Sequence, residues 1–279
     1  LSLGVDFSGG RAYVVRFDKP VTTDEVRGAL ISVFDGGLEV KQYGNDNQMR
    51  IVTQYRYDDE SPEATDEVNA MMYEALVPLY TTSISSAEFM NESVVSSDKV
   101  GPSIAQDMRD NAILAVFFSL IAIGLYIIIR FKKWQWAVGG VASLLHDALL
   151  VIGVFTLLHG ILPFQLDVDQ SFIAAILTII GFSINDTVVI FDRIREYQAL
   201  YPKRDIKDNI NAAINSTLAR TINTSGTTFV VLLAMFVFGG EVIRGFVFAL
   251  MFGVIVGTFS SVFVATPVAY DFMKKKLSK

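Results

Sequence analysis

Two patterns of apolar spacing divide this chain. Up to about residue 105, apolar and polar positions change over in short runs, as they do in strands and amphipathic helices; beyond it, apolar runs of 17 or more residues are separated by polar loops. A helix needs about 20 apolar residues, rising 1.5 Å each, to cross the hydrocarbon of a bilayer. Five membrane spans are therefore expected, at residues 111–129, 136–158, 171–191, 222–238 and 245–270.

The short-period part reads as one domain. Residues 11–17 alternate as a strand does, and Pro20 ends it; Thr22 or Thr23 caps a helix over 24–33, which Gly36-Gly37 closes. Residues 38–43 and 48–55 form a hairpin across Gly44-Asn45-Asp46-Asn47. Ser61-Pro62 and Thr65 open a second helix with Val68, Met72, Leu76 and Leu79 at helical spacing, and a last strand is expected over 83–95. Strand, helix, strand, strand, helix, strand is the ferredoxin-like order, one four-stranded sheet with two helices on one face. Its acids, such as Asp58-Asp59 and Asp66-Glu67, are scattered without a catalytic constellation, which suits a domain that binds or moves.

The expected fold is a polytopic α-helical membrane protein with a small α+β ferredoxin-like extracytoplasmic domain. The divisions are the domain at 1–105 and a five-helix membrane domain at 106–273. A cytoplasmic loop at 192–221 lies within the latter, and a basic tail occupies 274–279.

At 52% hydrophobic residues the chain is too apolar for an ordinary soluble protein of its length. With no cysteine, disulfides, thiolate chemistry and Cys-type metal sites are excluded, and His146 and His159 offer no metal-ligand spacing. No metal or cofactor is expected. Basic residues collect in alternate loops: Arg130, Lys132 and Lys133, then Arg193, Arg195, Lys203, Arg204 and Lys207, then Lys274-Lys275-Lys276. The intervening loops, 159–170 and 239–244, hold one basic residue between them. By the positive-inside rule the basic loops and the C-terminus are cytoplasmic, and residues 1–105 lie outside. The chain opens at Leu1 in a polar segment, with no helix ahead of it to export residues 1–105, so an upstream portion is expected. Trp134, Trp136 and Tyr126 fall near expected interfaces, and Gly253, Gly257 and Ser261 suit close helix contact.

Candidate chemistry lies inside the spans. Asp186, next to Asn185, interrupts the third apolar run. A carboxylate there costs about 2.5–3.5 kcal/mol, against about 0.3–0.6 returned by each Ile, Leu, Val or Phe, so it should face a bundle interior, a cation or water. At the start of the fourth span, Arg220 shares a helical face with Thr224 and Thr227; Ser183 stands one turn from Asp186. Asp186 and Arg220 are expected to meet in a polar seam able to pass protons; the alternative is packing, with Arg220 reaching headgroups and Asp186 held by Asn185 or Ser225. Asp147, beside His146, is a second acid, suited either to a helix–helix hydrogen bond or to the relay. Asp192 and Arg193 read as topology or salt-bridge residues.

Longer motifs carry a resemblance. Gly4-Val5-Asp6-Phe7-Ser8-Gly9-Gly10, Val100-Gly101-Pro102, His146-Asp147, the stretch 181–196, and Ala219-Arg220-Thr221-Ile222-Asn223-Thr224-Ser225-Gly226-Thr227-Thr228 together resemble the SecF family, either SecF or the SecF half of a fused SecDF protein. The resemblance implies a sixth helix ahead of Leu1 and partnership with a SecD-like half and the SecYEG translocon. It also implies use of the proton gradient, with Na+ as the other candidate ion, to draw unfolded preproteins across the cytoplasmic (inner) membrane. In its motifs, the intramembrane aspartate falls on Asp186 and the arginine on Arg220. The rival readings are a proton-driven exporter of small molecules or lipids from the resistance-nodulation-division superfamily, and a passive translocon assembly factor. None is an enzyme.

Overall fold

The fold is that of a computed structural model, which describes residues 2–34, 37–59, 61–162, 164 and 166–277. The chain forms two compact units. The first comprises Leu1–Ala112 together with Leu158–Gln170 and Gly240–Val242.

Its sheet contains β1 (Gly10–Arg16), β2 (Glu39–Gln42), β3 (Gln48–Thr53) and β4 (Val94–Val100), in the spatial order β2-β3-β1-β4, every neighbouring pair antiparallel. One helical turn, α1 (Val5–Ser8), precedes β1; α2 (Thr23–Leu30) and α3 (Pro62–Leu76) are the two connecting helices. This is the expected ferredoxin-like order. Thr22 starts α2 with a capping box to Glu25, and Ser61 caps α3 with Pro62 in its first turn. Because strand side chains alternate, Tyr13 and Val15 of β1 and Phe17 just past its end fall on one side, where they share a core with Val26, Leu30, Val68, Met72 and Leu76. Each such buried side chain contributes about 1.5–3 kcal/mol.

Two elements differ from expectation. Helix α2 stops at Leu30; Gly36 lies outside the described residues, and Gly37 takes a left-handed φ of 62°. The last strand is β4 at Val94–Val100, later than 83–95. Ser85 and Glu88 form a capping box that commits Ser86–Glu88 and the π-helical turn Phe89–Ser93 to helix, burying Phe89, before the chain extends. A Ser-x-x-Glu signal read as strand was a cap.

Gly9 turns the chain from α1 into β1 at φ 71°, ψ 161°, a region that essentially only glycine occupies, and a Cβ there would lie 2.7 Å from the Tyr57 ring. Gly9→Ala is expected to cost about 1–3 kcal/mol. Gly28→Ala, where a Cβ meets nothing within 4 Å on a helix, should instead be neutral or stabilising. Thermal unfolding midpoints of the two variants check the contrast.

The 158–170 segment joins this unit through Asp167, whose side chain is 7% exposed between Lys41 Nζ (3.2 Å) and Arg50 Nη1 (2.9 Å). Burial pushes the Asp167 carboxyl up, but the charges of Lys41 and Arg50 outweigh it and hold it below the ordinary carboxylate value. A depressed carboxylate contributes stability that is present above its unfolded pKa of about 3.9 and is lost as pH falls through the folded value. Asp167→Asn should therefore lower stability at neutral pH by about 1–2 kcal/mol, seen as a lower unfolding midpoint, and flatten the fall of that midpoint below about pH 4. Midpoints scanned from pH 7 to pH 3 read both effects.

The second unit is Ile113–Leu157, Ser171–Gly239 and Ile243–Lys279, and holds most of α4 (Pro102–Phe131), α5 (Trp134–Leu158), α6 (Gln170–Leu200) and α7 (Ile206–Phe238). They are followed by α8 (Glu241–Ser260), which runs through a π-helical turn at Ser261–Ala265 into α9 (Thr266–Leu277). Among the described residues, five helices are long and apolar enough to cross a membrane, the last being α8 continued into α9. Helices α6 and α7 extend well into the 192–221 stretch and leave a turn between Leu200 and Ile206. Trp134 and Tyr126 are half exposed, whereas Trp136 is only 2% exposed. It packs on Phe191 with ring centroids 4.6 Å apart and beside Phe131. Two residues rotate a helix by about 200°, so of the tryptophans placed at the interface by sequence, Trp136 faces inward and is core.

Candidate ion-relay site among the membrane helices

Close packing comes first. A Cβ on Gly253 would lie 2.3 Å from the Ile179 side chain, and one on Gly257 would lie 3.0 Å from Ser183 Cβ, so these small residues let α8 lie directly against α6. The expected small-residue contact thus has a named partner face. It brings Ser260, one turn past Gly257, to the acid of α5.

Asp147 is fully buried. Its Oδ2 accepts hydrogen bonds from Ser183 Oγ of α6 at 2.6 Å and Ser260 Oγ of α8 at 2.8 Å, and its Oδ1 lies 3.1 Å from His146 Nδ1. One carboxylate therefore ties three helices together. Beside it, Thr187 Oγ1 and Ser261 Oγ are 2.9 Å apart, and Ser261 Oγ also reaches the Ser183 carbonyl at 3.3 Å. Asp186, 4% exposed, accepts from Ser225 Oγ of α7 at 3.3 Å, and Thr258 Oγ1 of α8 donates to Ser225 Oγ at 2.6 Å. Two buried acids thus meet α6 one turn from each other, Asp147 through Ser183 and Asp186 directly, Asp147 held by two hydroxyls and Asp186 by Ser225.

The inward stripe of α7 is Thr217, Thr221 and Ser225, at steps of four. Arg220, Thr224 and Thr227 lie on another face and are exposed. Thr224 Oγ1 donates to its own helix, to Arg220 O at 2.9 Å, and Asn185 is exposed on α6. The polar seam facing Asp186 is therefore offset by one residue from the expected one: Ser225, not Thr224, meets the acid, because one step turns a helix by about 100°. Ser183, expected to serve Asp186, is bonded to Asp147. Among the described residues Asp186 makes no ion pair.

Arg220 lines a cleft of about 770 Å3 at the basic ends of α4, α6 and α7, with Arg130, Asp192, Arg193, Arg195 and Glu196. Asp192 bridges Arg130 (2.7 Å) and Arg195 (2.9 Å), while Arg193 pairs with Glu196 (2.7 Å) and Ser216 (2.9 Å). Asp192 and Arg193 are the salt-bridge residues expected. No cluster of three or more metal-ligating side chains occurs among the described residues.

Sequence reading missed Thr187, Thr258 and Ser260. Ser260 adjoins the Gly253, Gly257 and Ser261 stripe, which the sequence reading assigned to packing alone. What the arrangement offers chemically is a pair of carboxyl groups in apolar helices, held by hydroxyls that can donate or accept and so can stabilise either the charged or the neutral acid.

A small antiparallel sheet unit joined to five membrane-length helices with buried acids defines a polytopic membrane protein. Comparison with known proteins narrows this. The family model described as "Protein export membrane protein SecD/SecF, C-terminal" matches residues 80–275, and the SecD/SecF GG motif matches residues 1–21. Similar curated proteins include protein translocase subunit SecF of Rhodothermus marinus, 41% identical over 97% of this chain and 83% of that protein. The corresponding subunit of Cereibacter sphaeroides is 40% identical over 95% and 78%. The crystal structure of SecDF, a translocon-associated membrane protein from Thermus thermophilus, superposes with a TM-score of 0.80 at 31% identity, over 98% of this chain and 34% of the longer solved one. The chain belongs to the SecD/SecF family of protein-export membrane proteins.

Proposed function

We propose that this chain is an accessory subunit of the Sec protein translocation machinery that uses an ion gradient, protons in the first instance and Na+ in the second, to promote preprotein export, with Asp186 as the group that takes up and releases the ion. One observation carries the reading: Asp186 is buried among membrane-length helices, hydrogen-bonded by the Ser225 hydroxyl, with no paired cation among the described residues. Intramembrane acids of this kind mark ion pathways. Protonation removes its charge and changes the Ser225 and Thr258 hydrogen bonds. Asp147, through Ser183, stands next to it as a second acid of the relay or as its anchor, while Asn185 and Thr224 flank the path from exposed faces.

In this reading the basic loops face the cytoplasm, the sheet unit lies outside the inner membrane, and the partners are a SecD-like half, the SecYEG translocon and the unfolded preprotein. No covalent step or cofactor is involved. Two solved SecDF structures at the same 31% identity match this chain with TM-scores of 0.80 and 0.64, the second described as a super-membrane-facing form, which supports a family whose members adopt more than one arrangement.

The test is preprotein translocation by the full complex in proteoliposomes under an imposed pH gradient and then a sodium gradient, comparing wild type with Asp186→Asn and Arg220→Met. Gradient-stimulated export in wild type that both assembled variants lose supports the reading, and the effective gradient names the ion. Equal stimulation in the variants makes the chain a passive assembly factor.

A further inference from the structure

The opening residues of the chain and the segment leading into α6 form one joint inside the first unit. Gly4 N donates to Val168 O and Val168 N donates to Ser2 O, both at 2.9 Å, and Leu3 and Val168 form a parallel bridge. Two residues on, Asp6 Oδ2 accepts from the backbone N–H of Gln170 at 3.0 Å. Gln170 is the first residue of α6, and amides in a helix's first turn have no acceptor within the helix. Asp6 therefore does for α6 what an N-cap does, from 164 residues away in sequence. The fit is tight: a Cβ on Gly4 would lie 2.9 Å from Asp169 Cβ. Asp167, three residues before Gln170, is clamped by Lys41 of β2 and Arg50 of β3. The same α6 carries Asp186, 16 residues or about 24 Å further along.

We propose that Asp6 is a positioning residue, fixing the N-terminus of the helix that carries Asp186 to the sheet unit, so that an ion-driven shift of α6 is delivered to that unit through a joint that stays closed. The inference rests on the ion-driven export reading above. It assigns the opening Gly-x-Asp segment a mechanical role, with no contact to the ion or the preprotein. A rigid joint is what such transmission needs, because a helix whose first turn frays absorbs displacement instead of passing it on.

The experiment uses the full complex in proteoliposomes and reads ion flux and gradient-stimulated export separately. Asp6→Ala should lower gradient-stimulated export by about five-fold, the scale of a lost helix cap, with ion flux kept. Asp6→Asn, which still offers an acceptor oxygen, should restore most of the export. Export unchanged in Asp6→Ala, or flux and export lost together in both variants, overturns the proposal. Should Asp6→Ala fail to assemble, Leu3→Cys with Val168→Cys decides: export that continues after oxidation supports a joint that stays closed, and export blocked by oxidation and regained on reduction overturns it. A wild type without gradient-stimulated export overturns both this inference and the export reading, whereas failure of the joint alone leaves the effect of Asp186→Asn intact.

Discussion

Asp186→Asn should give a protein that assembles normally and no longer responds to an ion gradient. Asparagine keeps the shape of aspartate, and its Oδ1 can still accept from Ser225 Oγ. Removing an intramembrane carboxylate also removes an insertion cost of about 2.5–3.5 kcal/mol, so stability should hold or rise. What is lost is proton affinity. An ion shifts a conformational equilibrium only by its difference in affinity for the two states, and an amide has none to offer. Each charge crossing about 100 mV is worth about 2.3 kcal/mol, and Asp186 is the proposed point at which that energy enters. Export should fall to the level seen without a gradient, while yield and unfolding midpoint match or exceed wild type. A variant that keeps its gradient response would sink the assignment.

The second large effect is expected at Asp147, in the opposite measurement. Asp147→Ala removes the buried carboxyl group on which Ser183 Oγ, Ser260 Oγ and His146 Nδ1 converge; Ser260 Oγ keeps its second acceptor, Gly257 O at 3.2 Å, and the partly exposed His146 can turn to water, so Ser183 Oγ is the group most affected. Leaving buried polar groups unpaired is costlier than never burying them, and three helices lose a common tie. A loss of about 2–4 kcal/mol is expected, read as a lower unfolding midpoint in detergent. Asp147→Asn keeps one acceptor and should lose about half as much. Both Asp186→Asn and Asp147→Ala remove a buried acid, yet stability should hold in the first and fall in the second. An Asp147→Ala protein as stable as wild type would mean that Ser183 Oγ finds another partner and that the three helices hold without their common tie.

Much of this architecture was legible in the residues. The run lengths identify the five membrane helices, and caps such as Thr22 and Ser61 place α2 and α3. The final strand was misplaced because Ser85 and Glu88 are polar residues whose pairing across three positions matters more than their alternation. In the site, Asp186 and Asp147 stood out because charge inside an apolar run is costly wherever it occurs. Their partners did not. Serine and threonine cost little in a membrane helix, so nothing in one-dimensional spacing separates Ser260, which bonds an acid, from Thr224, which bonds its own backbone.

The sequence by itself determined the class of protein, the number of spans among the described residues, the ferredoxin-like order and the two intramembrane acids, since each arises from local hydrophobicity and periodicity. Tertiary structure alone decided which hydroxyl meets which acid, that Arg220 faces a cleft rather than pairing with Asp186, and that Asp6 caps a helix beginning 164 residues later. Those outcomes depend on helix rotation, where one residue is about 100°, and on contacts between distant segments, and neither quantity is carried by any short stretch of chain.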